Sequence, residues 1–93
     1  MAAKKISSNI ITSIGNTPLI DVSQLSPDPK IQIFGKLESA NPTGSVKDRV
    51  AKYLILNAER EGKISEGSTI LEPTSGNTGI GLSILCSTRG CKI

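Results

Sequence analysis

The chain has 93 residues, enough for one small domain and too few for a two-domain enzyme; at 37% hydrophobic and 20% charged, with 9 Gly and 5 Pro, it reads as soluble and globular and is neither collagen nor coiled coil. With no histidine, Ser-His and Cys-His nucleophilic sites drop out, as does any zinc site that two cysteines cannot fill, so no metal is expected; aromatics at 2% and no Trp leave little to stack on nucleic-acid bases. The net charge of +3 is spread over interleaved acids and bases such as Lys47-Asp48-Arg49, a mixed solvated surface and not a basic stripe, so neither nucleic acid nor a membrane is an expected partner.

In chain order, the first twenty residues carry Lys4, Lys5 and no acid before Asp21, a weak likeness to an organellar leader. Cys86 and Cys91 without an apolar signal segment favour the cytoplasm. After the breaker run Ser26-Pro27-Asp28-Pro29, the alternation of Ile31-Gln32-Ile33-Phe34-Gly35-Lys36-Leu37 predicts a strand. A loop follows to Gly44. From Ser45 the period changes: Val46, Val50, Tyr53, Leu54 and Ala58 fall three or four apart, which predicts an amphipathic helix to Glu61 with that stripe inward. Ser45 with Asp48 three residues on marks its start as an acidic relative of the capping box, and Gly62 marks its end.

Ser68-Thr69-Ile70-Leu71-Glu72 predicts a second strand, Thr78 to Arg89 a second helix stopped by Gly90, and Cys91-Lys92-Ile93 a third strand barely begun. Gly79, Ser83 and Ser87 recur every four residues and would let that helix approach a neighbour closely. The order strand, helix, strand, helix, strand implies an α/β fold, a βαβαβ unit with a parallel sheet and right-handed crossovers. Its two strand-to-helix corners, Pro42 to Ser45 and Pro73 to Gly76, would then share the carboxyl edge where such sheets bind ligands.

The second corner, Pro73-Thr74-Ser75-Gly76-Asn77-Thr78-Gly79, sets short polar side chains and glycines at a helix N-terminus. Free backbone N–H groups and the helix dipole there favour a carboxylate or phosphate. Simple capping by Ser75 or Asn77 is the alternative, and the glycine spacing matches neither nucleotide-binding fingerprint. In the first corner Lys47 occupies the first turn of a helix, where a cation meets the positive end of the dipole. That placement favours the neutral, nucleophilic amine and suits a Schiff-base lysine; a solvated lysine beside Asp48 is the alternative.

Three ordered motifs bear a family resemblance: Ile14-Gly15-Asn16-Thr17-Pro18-Leu19, Asn41 to Arg49 ending in SVKDR, and Glu72 to Gly81 reading EPTSGNTGIG. Together they resemble the cysteine synthase and cystathionine β-synthase branch of the pyridoxal-phosphate enzymes of tryptophan-synthase-β fold type. Val46 before the lysine and Thr78 in the loop favour the cysteine-forming side of that branch.

The resemblance implies a larger two-lobed fold of which residues 1–93 would be the amino-terminal portion, ending at the start of a strand and inactive alone. It implies pyridoxal 5′-phosphate as cofactor, held by Lys47, which would also take the substrate α-proton, with Asn77 bonded to the cofactor's ring hydroxyl oxygen. Thr74, Ser75, Gly76, Asn77 and Thr78 would grip the carboxylate of the amino-acid substrate. The reaction implied is β-replacement, in which sulfide displaces the leaving group of an activated serine to give L-cysteine, in a homodimer. Asn16-Thr17-Pro18 would be mainly a structural turn near the subunit surface. Serine with homocysteine, and a non-catalytic anion-binding or regulatory fragment, are the other readings.

Overall fold

The computed structural model describes residues 9–74 and 76–93, so the leader reading at Lys4 and Lys5 and the ligand role of Ser75 lie outside the described residues. The described chain opens with a 3-10 turn, Ile10–Ser13. Asn9 caps it, its Oδ1 accepting the N–H groups of Ile11 at 2.9 Å and Thr12 at 3.2 Å.

Two short strands follow, β1 (Leu19–Asp21) and β2 (Phe34–Lys36), paired antiparallel with Leu19 opposite Lys36, Ile20 opposite Gly35 and Asp21 opposite Phe34. Both ends of this ladder have a side-chain cause. At one end Leu37 N–H donates to the Pro18 carbonyl at 2.9 Å, and Pro18 has no N–H to return the bond. At the other, Val22 donates to the Ile33 carbonyl, but the Ile33 N–H is diverted to Ser23 Oγ at 2.9 Å. The expected strand therefore shrinks from Ile31–Leu37 to Phe34–Lys36.

The first strand of the expected βαβαβ unit pairs antiparallel: among the described residues the ladder partner of β2 is β1. An alternating pattern marks a pleat without fixing the direction of its neighbour, and the nearby β1 is reached by closing a short loop. Parallel geometry occurs at one bridge, Thr69 to Lys92. There Ile70 N–H donates to the Lys92 carbonyl at 2.7 Å and Lys92 N–H to the Ser68 carbonyl at 2.8 Å. Leu71, placed in the expected strand, is 93% exposed.

Helix α1 (Lys47–Arg60) begins where Ser45 Oγ accepts the Lys47 N–H at 3.0 Å. It ends in a Schellman motif: Lys63 N–H donates to the Ala58 carbonyl, Gly62 N–H to that of Glu59, and Gly62 takes φ 72°. Helix α2 (Asn77–Arg89) closes at Gly90, with Cys91 N–H on the Cys86 carbonyl. Both helices fall where the sequence puts them, but each turns a different face inward. On α1 the buried residues are Asp48, Ala51 and Ile55, whereas Val46, Val50, Tyr53 and Leu54 are exposed. On α2 they are Gly81, Leu82, Leu85 and Cys86, whereas Ser83 and Ser87 of the expected small-residue strip face outward.

The two helices pack directly on each other and run in the same direction, since Asp48 and Ala51 meet α2 at Gly81 while Glu59 meets Arg89 at 3.2 Å. A Cβ at Gly81 would lie 3.1 Å from Ala51 Cβ and 3.3 Å from both Asp48 Oδ1 and the Lys47 carbonyl. Glycine there sets the separation of the helices. Ile11 and Ile14 complete the buried cluster with Ala51, Ile55, Leu82, Leu85 and Cys86; each large apolar side chain fully buried contributes roughly 1.5–3 kcal/mol. The radius of gyration is 16.8 Å, against about 12 Å expected for a compact domain of this length. Much apolar surface, Tyr53 and Leu54 included, stays uncovered. No described helix is long and apolar enough to cross a membrane.

The crossing yields a prediction. Gly81→Ala gains about 1 kcal/mol of helix propensity, which offsets a tight contact, whereas Gly81→Val overpacks the crossing and should lose about 2–3 kcal/mol in urea unfolding. A valine variant as stable as the alanine variant would show that the helices do not meet there.

Candidate active site

Lys47 is the first residue of α1 and Asn77 the first of α2, and because the helices are parallel both N-termini lie at one end of the pair. Lys47 is exposed, and among the described residues its ammonium has no ion-pair partner. The neighbouring carboxylate does not pair with it. Asp48 is 1% exposed and faces inward, its Oδ2 accepting the Thr43 N–H at 2.8 Å and its Oδ1 the Thr43 hydroxyl. The capping-box expectation is thus displaced by two residues: the carboxylate reaches back to Thr43, not to Ser45.

A polar cluster fixes the loop that leads into α1. Arg49 donates from Nε to Glu38 Oε2 at 2.8 Å, and from Nη2 to Glu38 Oε1 at 3.0 Å and Thr17 Oγ1 at 2.9 Å. The Thr17 hydroxyl itself donates to Glu38 Oε1 at 2.7 Å. Asn41 donates from Nδ2 to Glu38 Oε2 at 2.8 Å and accepts the Gly15 N–H at 2.8 Å. Gly15 is required twice over: its φ is 87°, and a Cβ there would stand 3.0 Å from Arg49 Nη1. Hydrogen bonds from Arg49, and then from Thr17, hold the Glu38 carboxyl down at about 2, while Glu38 in turn raises the Arg49 guanidinium.

Thr17 and Asn41 are buried. The turn at residues 16–18 is therefore an internal tie to α1, not simply a surface turn. Glu38, Asn41 and Thr43 belong to the corner the sequence marks, but their contacts and the tie to Thr17 are not read from it, and the available signal was the density of polar residues inside two motifs that the fold brings together.

At the second corner Thr74 Oγ1 accepts the N–H groups of Gly76 and Gly79, each at 3.2 Å. Thr74 therefore caps α2 from outside it. Gly79 must lack a side chain because the Thr74 methyl occupies the place of a Cβ. Among the described residues the Thr74 hydroxyl proton has no acceptor. Gly76 and Asn77 are exposed and Thr78 is half-buried, and among the described residues the N–H groups of Asn77 and Thr78 have no acceptor. An amine without an ion-pair partner among the described residues and a helix N-terminus with open donors, at the same end of the helix pair, fit an aldehyde cofactor and a carboxylate ligand. The apolar depression on the outer face of α1, lined by Arg49, Val50, Tyr53, Leu54 and Asn57, includes none of these residues.

The polar cluster predicts a pH dependence. The Glu38 carboxyl titrates near 4.5 when unfolded and near 2 when folded. The unfolded state binds its proton first, so the contribution of Glu38 is complete above about pH 4.5 and fades as pH falls from there towards about 2. Acid unfolding of Glu38→Gln, compared with the parent, should show a flatter dependence across that interval. Parallel curves would contradict the Arg49 contact.

Residues 10–93 match the family model of the pyridoxal-phosphate dependent enzymes. Over 90 residues the chain is 51% identical to the cysteine synthase of Staphylococcus aureus, covering 97% of this chain and 29% of that protein. It superposes on the crystal structure of a cysteine synthase from Entamoeba histolytica with TM-score 0.83 and 39% identity, covering 95% of this chain and 27% of the other. For cystathionine β-synthase from Bacillus anthracis the TM-score is 0.75 at 40% identity, covering 95% and 34%. The chain thus spans under a third of the length of the curated cysteine synthase it matches. With an α/β fold shared with these neighbours and a family match over nearly its whole length, the chain belongs to the pyridoxal-phosphate dependent enzyme family.

Proposed function

We propose that this chain carries the lysine corner and the amino-acid corner of an enzyme that forms L-cysteine from an activated serine, of the O-acetylserine kind, and sulfide. The observation that carries this reading is the parallel packing of α1 and α2, which sets the exposed amine of Lys47 and the open N-terminus of α2 at one end. Both corners lie in a segment 51% identical to a cysteine synthase.

In this reading Lys47 binds the cofactor through its amine and afterwards takes the α-proton of the substrate. When bound, pyridoxal phosphate supplies an electron sink for the α-carbon. The Thr74 hydroxyl, Ser75, and the N–H groups of Gly76, Asn77 and Thr78 hold the substrate carboxylate, and the Asn77 side chain meets the cofactor's ring oxygen. Residues 1–93 form the amino-terminal portion of a two-lobed domain whose central sheet is parallel, the Thr69–Lys92 bridge being one of its contacts. We place the enzyme in the cytoplasm, which suits the free thiols of Cys86 and Cys91, and as a homodimer.

Cystathionine formation from serine and homocysteine is the second reading, favoured by the likeness to the Bacillus anthracis enzyme. The higher TM-score with the Entamoeba enzyme and the identity to the Staphylococcus enzyme support sulfide as the nucleophile.

Borohydride reduction of the protein with bound cofactor, followed by peptide mapping, should label Lys47. A label on Lys36 or Lys52 with Lys47 unmodified would overturn the assignment. Thr74→Ala should weaken the absorbance change on adding O-acetylserine while the cofactor stays bound, whereas Thr74→Ser, which keeps the oxygen that caps α2, should resemble the parent. Better turnover with serine and homocysteine than with O-acetylserine and sulfide would favour the second reading.

A further inference from the structure

Asp48 is the one charged residue among the described residues whose side chain is fully buried, and the chemistry assigned to the neighbouring Lys47 makes no use of it. Burying a carboxylate is unfavourable unless its oxygens are hydrogen-bonded. Both are: Oδ2 takes the Thr43 N–H at 2.8 Å and Oδ1 the Thr43 hydroxyl. An acid in the first turn of a helix is favourable even when solvated, so the dipole alone gives no reason to bury it. The burial comes from α2, where the missing Cβ of Gly81 leaves room 3.3 Å from Oδ1.

We infer that Asp48 is a positioning residue for Lys47, its inward carboxylate clamping Thr43 so that the turn at residues 43–48 presents the Lys47 amine in one orientation and without a counter-ion. The inference rests on Lys47 being the cofactor-binding amine. The main chain of Lys47 is held on both sides, its N–H by Ser45 Oγ at 3.0 Å and its carbonyl against the Gly81 surface of α2. The Asp48 clamp closes the same turn from the other end, across Thr43. A carboxylate facing outward at this position would be the adjacent partner for the ammonium; facing inward, it leaves the amine to the aldehyde.

The test mixes cofactor-free protein with pyridoxal phosphate, traps adducts with borohydride at set times, and reads by peptide mapping the ratio of Lys47 to Lys52 labelling, with urea unfolding recorded in parallel. Asp48→Ala should lower that ratio about tenfold or more, the scale on which misplacing a reacting group slows its reaction. Asp48→Asn can keep both contacts, the Thr43 hydroxyl turning to accept, and should stay within about threefold of the parent, the scale of one perturbed hydrogen bond.

Absence of Lys47 labelling in the parent would overturn the cofactor assignment and the inference with it. Normal labelling in the parent together with an unchanged ratio in folded Asp48→Ala would overturn the positioning role alone. An Asp48→Asn variant as slow as Asp48→Ala would also overturn it, since the charge and not the clamp would then matter. Should Asp48→Ala show no unfolding transition, Thr43→Val decides: a severalfold loss supports the clamp, and an unchanged ratio overturns it.

Discussion

The contact on which the arrangement depends is the fork of Arg49 on Glu38. Arg49 lies in the first turn of α1 and Glu38 just beyond β2, so one pair of parallel hydrogen bonds fixes the helix against the strand that precedes it. Thr17 and Asn41 then attach to the same carboxylate and carry the tie to the turn at Gly15, near the start of the described chain. At roughly a third and a fifth exposed, Arg49 and Glu38 are screened by water, and the value of their pair lies in geometry more than in Coulomb energy. A guanidinium suits this role because its planar donors can serve the two carboxylate oxygens and a hydroxyl together; a lysine would bring a single point of charge.

With the entry into α1 fixed, the helix pair decides what meets what. Gly81 and Ala51 permit a close parallel contact, and parallel packing sends both N-terminal ends the same way. Two positive dipole ends therefore face one region of space, the α2 end with open donors at Asn77 and Thr78, an arrangement that disfavours an ammonium and favours anions. The cost of this alignment is met within the core by Asp48, an anion in the first turn of α1 and against the second turn of α2. The same residue ties the Thr43 turn, so the electrostatic and the geometric demands fall on one side chain.

Much of this was legible before any coordinates. Helix periods and the stop glycines Gly62 and Gly90 fall at the expected places because they are governed by local backbone chemistry. The faces of the helices were misjudged: α1 carries apolar residues on two adjoining faces, and counting apolar positions selects Val46, Val50, Tyr53 and Leu54 over the smaller set Asp48, Ala51 and Ile55 that packs on α2. Small residues and a buried acid carry little weight in a hydrophobic pattern, yet they are what allow two backbones to approach. Strand pairing was unreadable for another reason, since alternation at β2 is equally suited to a parallel or an antiparallel partner. Of the proposed site, Lys47 and the corner from Thr74 to Thr78 are candidates drawn from loop chemistry and motif. The contacts of Glu38, Asn41 and Thr43 were not legible, because loop residues close in sequence leave no periodic signal of which side chains bond, and Thr17 joins them only through long-range folding.

Amide hydrogen exchange of the parent and of Arg49→Met most directly tests whether the fork on Glu38 organises the corner. The account predicts faster exchange in the variant at two separated stretches, Gly15 to Thr17 and Asn41 to Lys47, with the middle of α2 from Leu82 to Cys86 unchanged. Loss of protection confined to the residues beside position 49, or spread evenly over the chain, would contradict it.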